Sequence, residues 1–112
     1  LVRESYARVL QLWGCDARVH ANADTALAAQ TRDEWLPELI VTDHRLGGTF
    51  NGRELVDALR RLHASALPAI ILTGDTEDTA LRQAATDSLR VLYKPVKPAE
   101  LRQVLLQLLR LP

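Results

Sequence analysis

Three short runs of apolar residues, each followed at once by a polar side chain, constrain the fold of this 112-residue chain more than any other feature. The runs cover residues 39–41, 69–72 and 91–93, and the polar residues that end them are Asp43 (after Thr42), Thr73 and Lys94. Runs that are this short and apolar throughout are typical of parallel strands buried on both faces of a sheet. The chain is therefore predicted to contain a parallel sheet.

Amphipathic segments separate these runs, and several carry the signals that begin and end helices. Gly14 ends the first pattern, Asn51 and Glu54 stand at N-cap and N3 spacing, Asn22 offers a second cap, and Pro98 can open the last helix. The alternation of apolar and polar residues over 17–21 predicts one more short strand. The predicted helices cover residues 2–13, 22–27, 51–62, 80–85 and 98–108.

Helices that alternate with short buried strands indicate an open α/β sheet with right-handed crossovers and helices on both faces. Every predicted helix except the first follows a strand. We therefore expect the first strand of this fold to lie upstream of Leu1, so that residues 1–112 form a single domain that is incomplete at its N-terminus.

Composition and charge exclude several classes of function. The chain has 14 basic and 14 acidic side chains with no long run of one sign, so we predict no contact with nucleic acid or an anionic membrane surface. It has no stretch long enough to span a bilayer and no leader-like opening, and Cys15 is its single cysteine. We expect a cytoplasmic domain without disulfides.

The residues that end the three runs are predicted to meet, because ligand sites in open α/β sheets lie beyond the carboxyl ends of the strands. Taken singly, Asp43, Thr73 and Lys94 have ordinary interpretations as a turn former, a strand-end hydroxyl and a solvated charge. Together they suit phosphoryl transfer, in which a carboxylate attacks phosphorus while a hydroxyl and a compact cation bind its oxygens. The chain has two lysines against twelve arginines, which makes the position of Lys94 informative.

Three segments make the chain resemble the receiver domains of response regulators, which have a flavodoxin-like (βα)5 fold. They are LIVTDHRL at 39–46, TGD at 73–75 and YKPV at 93–96, and their order and spacing extend the resemblance over nearly the whole length. With the ending KPVKPAEL, they are most similar to receivers of hybrid sensor histidine kinases. A parent kinase of that type could tether the domain to a membrane.

The resemblance implies a role for each residue. Asp43 would accept a phosphoryl group from a histidine kinase or a histidine phosphotransfer domain, Thr73 would bind that group, and Lys94 would pair with its oxygens. Gly74 would leave the phosphorylated side chain open to water. Mg²⁺ would be held by Asp43, the backbone carbonyl of Arg45 and an acidic pair upstream of Leu1, so residues 1–112 alone are expected to be labelled poorly. Such a domain is a switch rather than an enzyme that turns over a substrate.

The chain departs from the family pattern in two further places. Val91 stands where the family usually has its aromatic switch residue, and Tyr93, on the same face of the strand, has packing as its simplest role. Leu106 and Leu109 lie off the main apolar stripe of the last helix. They suit a homodimer or interdomain surface, and equally a helix that is buried more broadly.

Two other functions remain open on the sequence. A pseudo-receiver would keep the fold as a protein-interaction domain and never carry phosphate. A phosphatase of the haloacid dehalogenase type also uses a strand-end Asp, then Thr, then Lys, but it needs an Asp two residues after the nucleophile. Arg45 occupies that position here, and no acidic pair follows Lys94.

Overall fold

The computed structural model of the chain describes residues 3–32, 35–46, 50–74 and 79–109. Predictions that involve Val2 and Asp75 lie outside these residues. In chain order the described elements are α1 (Arg3–Leu12), α2 (Ala23–Arg32), β1 (Ile40–Asp43), α3 (Gly52–His63), β2 (Ala69–Thr73), α4 (Thr79–Ala84), β3 (Leu89–Tyr93) and α5 (Pro98–Leu109).

The three strands form a parallel sheet in the order β1-β2-β3, as the apolar runs predict. Asp43 lies opposite Leu72, and Thr73 lies opposite Tyr93. The central strand β2 is buried along its whole length. The predicted α/β class with parallel pairing is confirmed.

Side-chain alternation along the strands divides the core into two clusters, one on each face of the sheet. The α2/α3 cluster packs α2, α3 and α4 against one face, and the α1/α5 cluster packs α1 and α5 against the other. Buried members of the first include Ala23, Ala26, Leu55, Val56, Leu59, Leu81, Ala69 and Ile71, and those of the second are Tyr6, Ile70, Leu72, Leu92, Val96, Leu101 and Val104. On α5, Leu106 is exposed and Leu109 is half-buried.

The helix signals in the sequence correspond to real caps. Gly14 follows α1 with φ +88°, a left-handed conformation that suits a residue without a Cβ. The Asn22 side chain accepts a hydrogen bond from the Thr25 amide at 2.9 Å. Asn51 and Glu54 form a reciprocal capping box at the start of α3.

The strand predicted at 17–21 is wrong, because residues 15–20 are irregular in the structure. A strand is maintained by a neighbour that pairs with its backbone groups. Within the described ranges, β1 pairs on one side only, with β2, and no strand lies beside residues 17–21. The alternation of side chains therefore predicted a strand for which the described residues provide no neighbouring strand to pair with.

Candidate functional site

The three polar residues predicted to meet do stand at the carboxyl ends of adjacent strands. Asp43 ends β1, Thr73 ends β2, and Lys94 follows β3 directly. Two hydrogen bonds continue the sheet past the strands, from the His44 amide to the Leu72 carbonyl and from the Lys94 amide to the Thr73 carbonyl, each at 2.8 Å. This pairing aligns the strand ends, so the polar side chains share one edge of the sheet.

Lys94 and Asp43 form an ion pair, with 2.9 Å between the Lys94 Nζ and the Asp43 Oδ1. Their side chains are 43% and 44% exposed, respectively. An ion pair that is this accessible to water contributes at most about 1 kcal/mol to stability. The pair places an ammonium group directly on a carboxylate that solvent can reach.

The other predicted site residues surround this pair in different ways. Thr73, on the strand between those of Asp43 and Lys94, is only 3% exposed. Gly74 is exposed, and a Cβ added to it would meet nothing within 4 Å. Arg45 is exposed in the segment that follows β1. The edge therefore combines a buried hydroxyl, an open glycine and an accessible ion pair.

Gly52 is the first residue of α3 and packs against the end of β1. Its amide donates to the His44 carbonyl at 2.7 Å. A Cβ here would lie closer to the Asp43 carbonyl oxygen than real contacts allow and 3.0 Å from the His44 Cα. The absence of a side chain thus brings α3 directly against the backbone that carries Asp43. The Asn-Gly pair at the helix start was the available signal.

The charges of the Lys94–Asp43 ion pair act on Tyr6, a residue of α1. Its side chain is buried in the α1/α5 cluster, which includes Leu72 and Leu92. Burial raises the pKa of the Tyr6 phenol, the positive charge of Lys94 lowers it, and the negative charge of Asp43 raises it. Both members of the ion pair therefore act electrostatically on this hydroxyl.

The described residues offer few ligands for a metal ion. Among them, no group of three or more His, Cys, Asp or Glu side chains is arranged to hold one. The Asp43 carboxylate and the Arg45 carbonyl are oxygen donors of the kind that Mg²⁺ prefers. None of the described helices has the length and apolar character needed to cross a membrane.

The family model for the response regulator receiver domain matches residues 1–106. The chain belongs to this family. The match covers nearly all of the sequence, which confirms the resemblance carried by the three segments around Asp43, Thr73 and Lys94. A search of the curated proteins found no match.

Solved structures with the same fold come from several organisms. The receiver domain of NtrX from Brucella abortus is 27% identical, with a TM-score of 0.76 over 97% of this chain and 90% of that chain. The N-terminal domain of a response regulator/sensory box/GGDEF 3-domain protein from Carboxydothermus hydrogenoformans is 24% identical, with a TM-score of 0.78 over 96% of this chain and 84% of that one.

A CheY-like response regulator receiver domain protein from Methanospirillum hungatei JF-1 is 22% identical, with a TM-score of 0.76 over 96% of this chain and 83% of its own. At this level of identity the likeness concerns the fold. Together with the parallel sheet, these neighbours confirm the flavodoxin-like receiver fold.

Proposed function

We propose that this receiver domain is a phosphoacceptor in a two-component phosphorelay and that Asp43 takes the phosphoryl group. The observation that carries the proposal is the contact of 2.9 Å between the Lys94 ammonium and the Asp43 carboxylate at the carboxyl edge of the sheet. A half-exposed carboxylate can meet a phosphorylated partner, and the ammonium is already where negative charge will increase.

In the transfer step, a carboxylate oxygen of Asp43 attacks the phosphorus of a phosphohistidine. The P–N bond breaks as the new P–O bond forms, and the electron pair of the broken bond returns to the imidazole nitrogen, which takes up a proton. Little covalent chemistry is asked of the protein, so its contribution is to position the groups and to stabilise charge. Lys94 is suited to that role as a compact cation.

Thr73 and Gly74 are proposed to shape the phosphorylated state. A hydroxyl at the end of the central strand can donate to a phosphoryl oxygen, and the burial of Thr73 would limit its positions. The open space around Gly74 would let water approach the acyl phosphate, so its hydrolysis would meet little steric hindrance. The added charge, roughly −2 at neutral pH, would then alter the loops at this edge.

Mg²⁺ is proposed to assist the transfer. The Asp43 carboxylate and the Arg45 carbonyl would be ligands, and Mg²⁺ commonly completes its shell with phosphate oxygens and water. The ion would neutralise charge on the transferring group. The phosphoryl donor is proposed to be a histidine kinase or a histidine phosphotransfer domain, as in a hybrid sensor kinase.

The proposal can be tested by incubating the full-length protein with Mg²⁺ and acetyl phosphate and following its intact mass. We expect one added phosphoryl group, its loss in Asp43→Asn, and its loss when the metal is chelated. A mass increment that persists in Asp43→Asn would contradict the assignment of the acceptor. No increment from acetyl phosphate or from a phosphorylated histidine donor would favour a pseudo-receiver instead.

A further inference from the structure

The Tyr6 hydroxyl is a buried polar group that the packing of the free domain does not explain. The residue is 8% exposed, and within the described part of the chain its phenol oxygen has no hydrogen-bond partner. Buried hydroxyls in folded proteins are normally paired, because burial without a partner costs free energy. A phenylalanine would fill the same space without that cost. We therefore expect the hydroxyl to have a hydrogen-bond partner in another state of the domain.

The residues packed with Tyr6 connect α1 to the end of β1, where Asp43 lies. In the α1/α5 cluster, Tyr6 is grouped with Leu72, which lies opposite Asp43 in the sheet, and with Val41, which precedes Asp43 by two residues. Residues two apart on a strand share a face, so Asp43 continues the face that packs toward α1. The same cluster contains Leu92 and Val96.

Leu92 and Val96 stand two residues before and two residues after Lys94, so the cluster lies beside both members of the ion pair. The charges of Lys94 and Asp43 act on the phenol in opposite directions and partly offset each other. Phosphorylation would change this balance, because the Asp43 side chain would gain negative charge and new acceptor oxygens, and Lys94 would gain new partners.

We propose that Tyr6 is a positioning residue of the phosphorylated state, in which its hydroxyl donates a hydrogen bond to an oxygen of the phosphorylated Asp43 side chain. The inference rests on the proposed function. It assigns to α1 a direct contact with the phosphorylated edge of the sheet, so that the hydroxyl, which has no partner among the described residues, gains one on phosphorylation.

The test measures the affinity of the full-length protein for beryllium trifluoride, a phosphoryl mimic, in the presence of Mg²⁺. Tyr6→Phe is compared with the wild type and with Tyr93→Phe, which removes the other phenol of the chain. A hydrogen bond to a charged acceptor predicts that Tyr6→Phe weakens binding by about tenfold or more. Tyr93→Phe should bind as the wild type does.

The free energy of unfolding distinguishes a role of Tyr6 in the phosphorylated state from a role in packing alone. In the absence of the mimic, Tyr6→Phe should be at least as stable to urea as the wild type, because the unpaired hydroxyl is removed. In the Tyr93→Phe background, where Tyr6 is the only tyrosine of residues 1–112, ultraviolet titration should show the pKa of this phenol rising when the mimic binds. This second measurement does not depend on the folding of Tyr6→Phe.

The outcomes are distinct. Equal affinities in Tyr6→Phe and the wild type, equal losses in both tyrosine variants, or a phenol pKa unchanged by the mimic would overturn the inference and leave the phosphoacceptor proposal standing. Failure of the wild type to bind the mimic or to be phosphorylated would overturn both.

Discussion

Gly52 lies directly against the backbone carbonyl of Asp43, so the start of α3 and the end of β1 are in contact where the Asp43 side chain emerges. In Gly52→Ala the new Cβ would collide with the backbone at Asp43 and His44, which cannot rotate away as a side chain can. Alanine favours a helix by up to about 1 kcal/mol over glycine, which offsets only part of this cost.

We expect Gly52→Ala to lower the free energy of unfolding by about 1–3 kcal/mol, as measured by urea denaturation. The matched control is Gly74→Ala, where a Cβ would meet nothing and stability should change by less than about 0.5 kcal/mol. Equal stability of the two variants would show that α3 can move away from β1 without cost.

Lys94→Ala should slow phosphorylation but leave the free energy of unfolding almost unchanged. It removes the cation that contacts Asp43, so we expect the rate of labelling by acetyl phosphate to fall by tenfold or more, on the order of one lost charge-assisted interaction. The free energy of unfolding should change by less than about 1 kcal/mol because the pair is half-exposed.

Lys97, the other lysine of the chain, is exposed beside the first turn of α5 and is the control for this variant. Lys97→Ala should be labelled at the wild-type rate. If the two alanine variants were labelled equally fast, the Lys94–Asp43 contact would have no part in the transfer.

Arg60 links α3 by hydrogen bonds to the residues that precede β2 and β3. Its Nε donates to the Leu67 carbonyl at 2.9 Å and its Nη2 to the Ser88 carbonyl at 3.0 Å, ahead of β2 and β3 respectively. Arg60→Ala would leave these carbonyls without their partner, and we expect a loss of about 1–3 kcal/mol in urea denaturation. Arg61→Ala, at an exposed neighbouring position, should cost less than about 0.5 kcal/mol. Comparable losses from both would point to the loss of positive charge in the last turn of α3 rather than to the two hydrogen bonds.

Tyr6 should make stability depend on pH in the alkaline range. Burial, and to a smaller extent Asp43, hold the pKa of its phenol above the ordinary 10.0, while Lys94 acts in the opposite direction. Above that ordinary value the unfolded chain ionises more readily than the folded one, so stability is unaffected below it and falls as the pH rises through the folded pKa. Tyr6→Phe lacks this contribution.

The stability difference between the wild type and Tyr6→Phe, measured by urea denaturation from about pH 8 to pH 11, should therefore shift in favour of the variant as pH rises. Other alkaline groups are common to the two proteins and cancel in the difference. A difference that stays constant over this range would mean that the phenol is accessible to water in the folded state.

Local signals predicted much of the fold. The apolar runs mark β1, β2 and β3 to within one or two residues, and Gly14 and the Asn51–Glu54 pair mark helix ends that the structure places there. These features depend on neighbours along the chain, on burial and on backbone conformation, so they can be read from sequence. The strand predicted at 17–21 failed because pairing requires a neighbour that alternation cannot supply.

The sequence by itself determined the α/β class and the presence of a carboxylate, a hydroxyl and an ammonium at three strand ends, because strand ends and their polar residues follow from local pattern. Tertiary structure alone decided which of these groups touch, that Gly52 must lack a Cβ, and that the Tyr6 hydroxyl is buried without a hydrogen-bond partner among the described residues. The physical reason is that each of these relationships joins residues that are not neighbours in the sequence, and the pairing of the strands and the packing of the helices against the sheet set the distances between them.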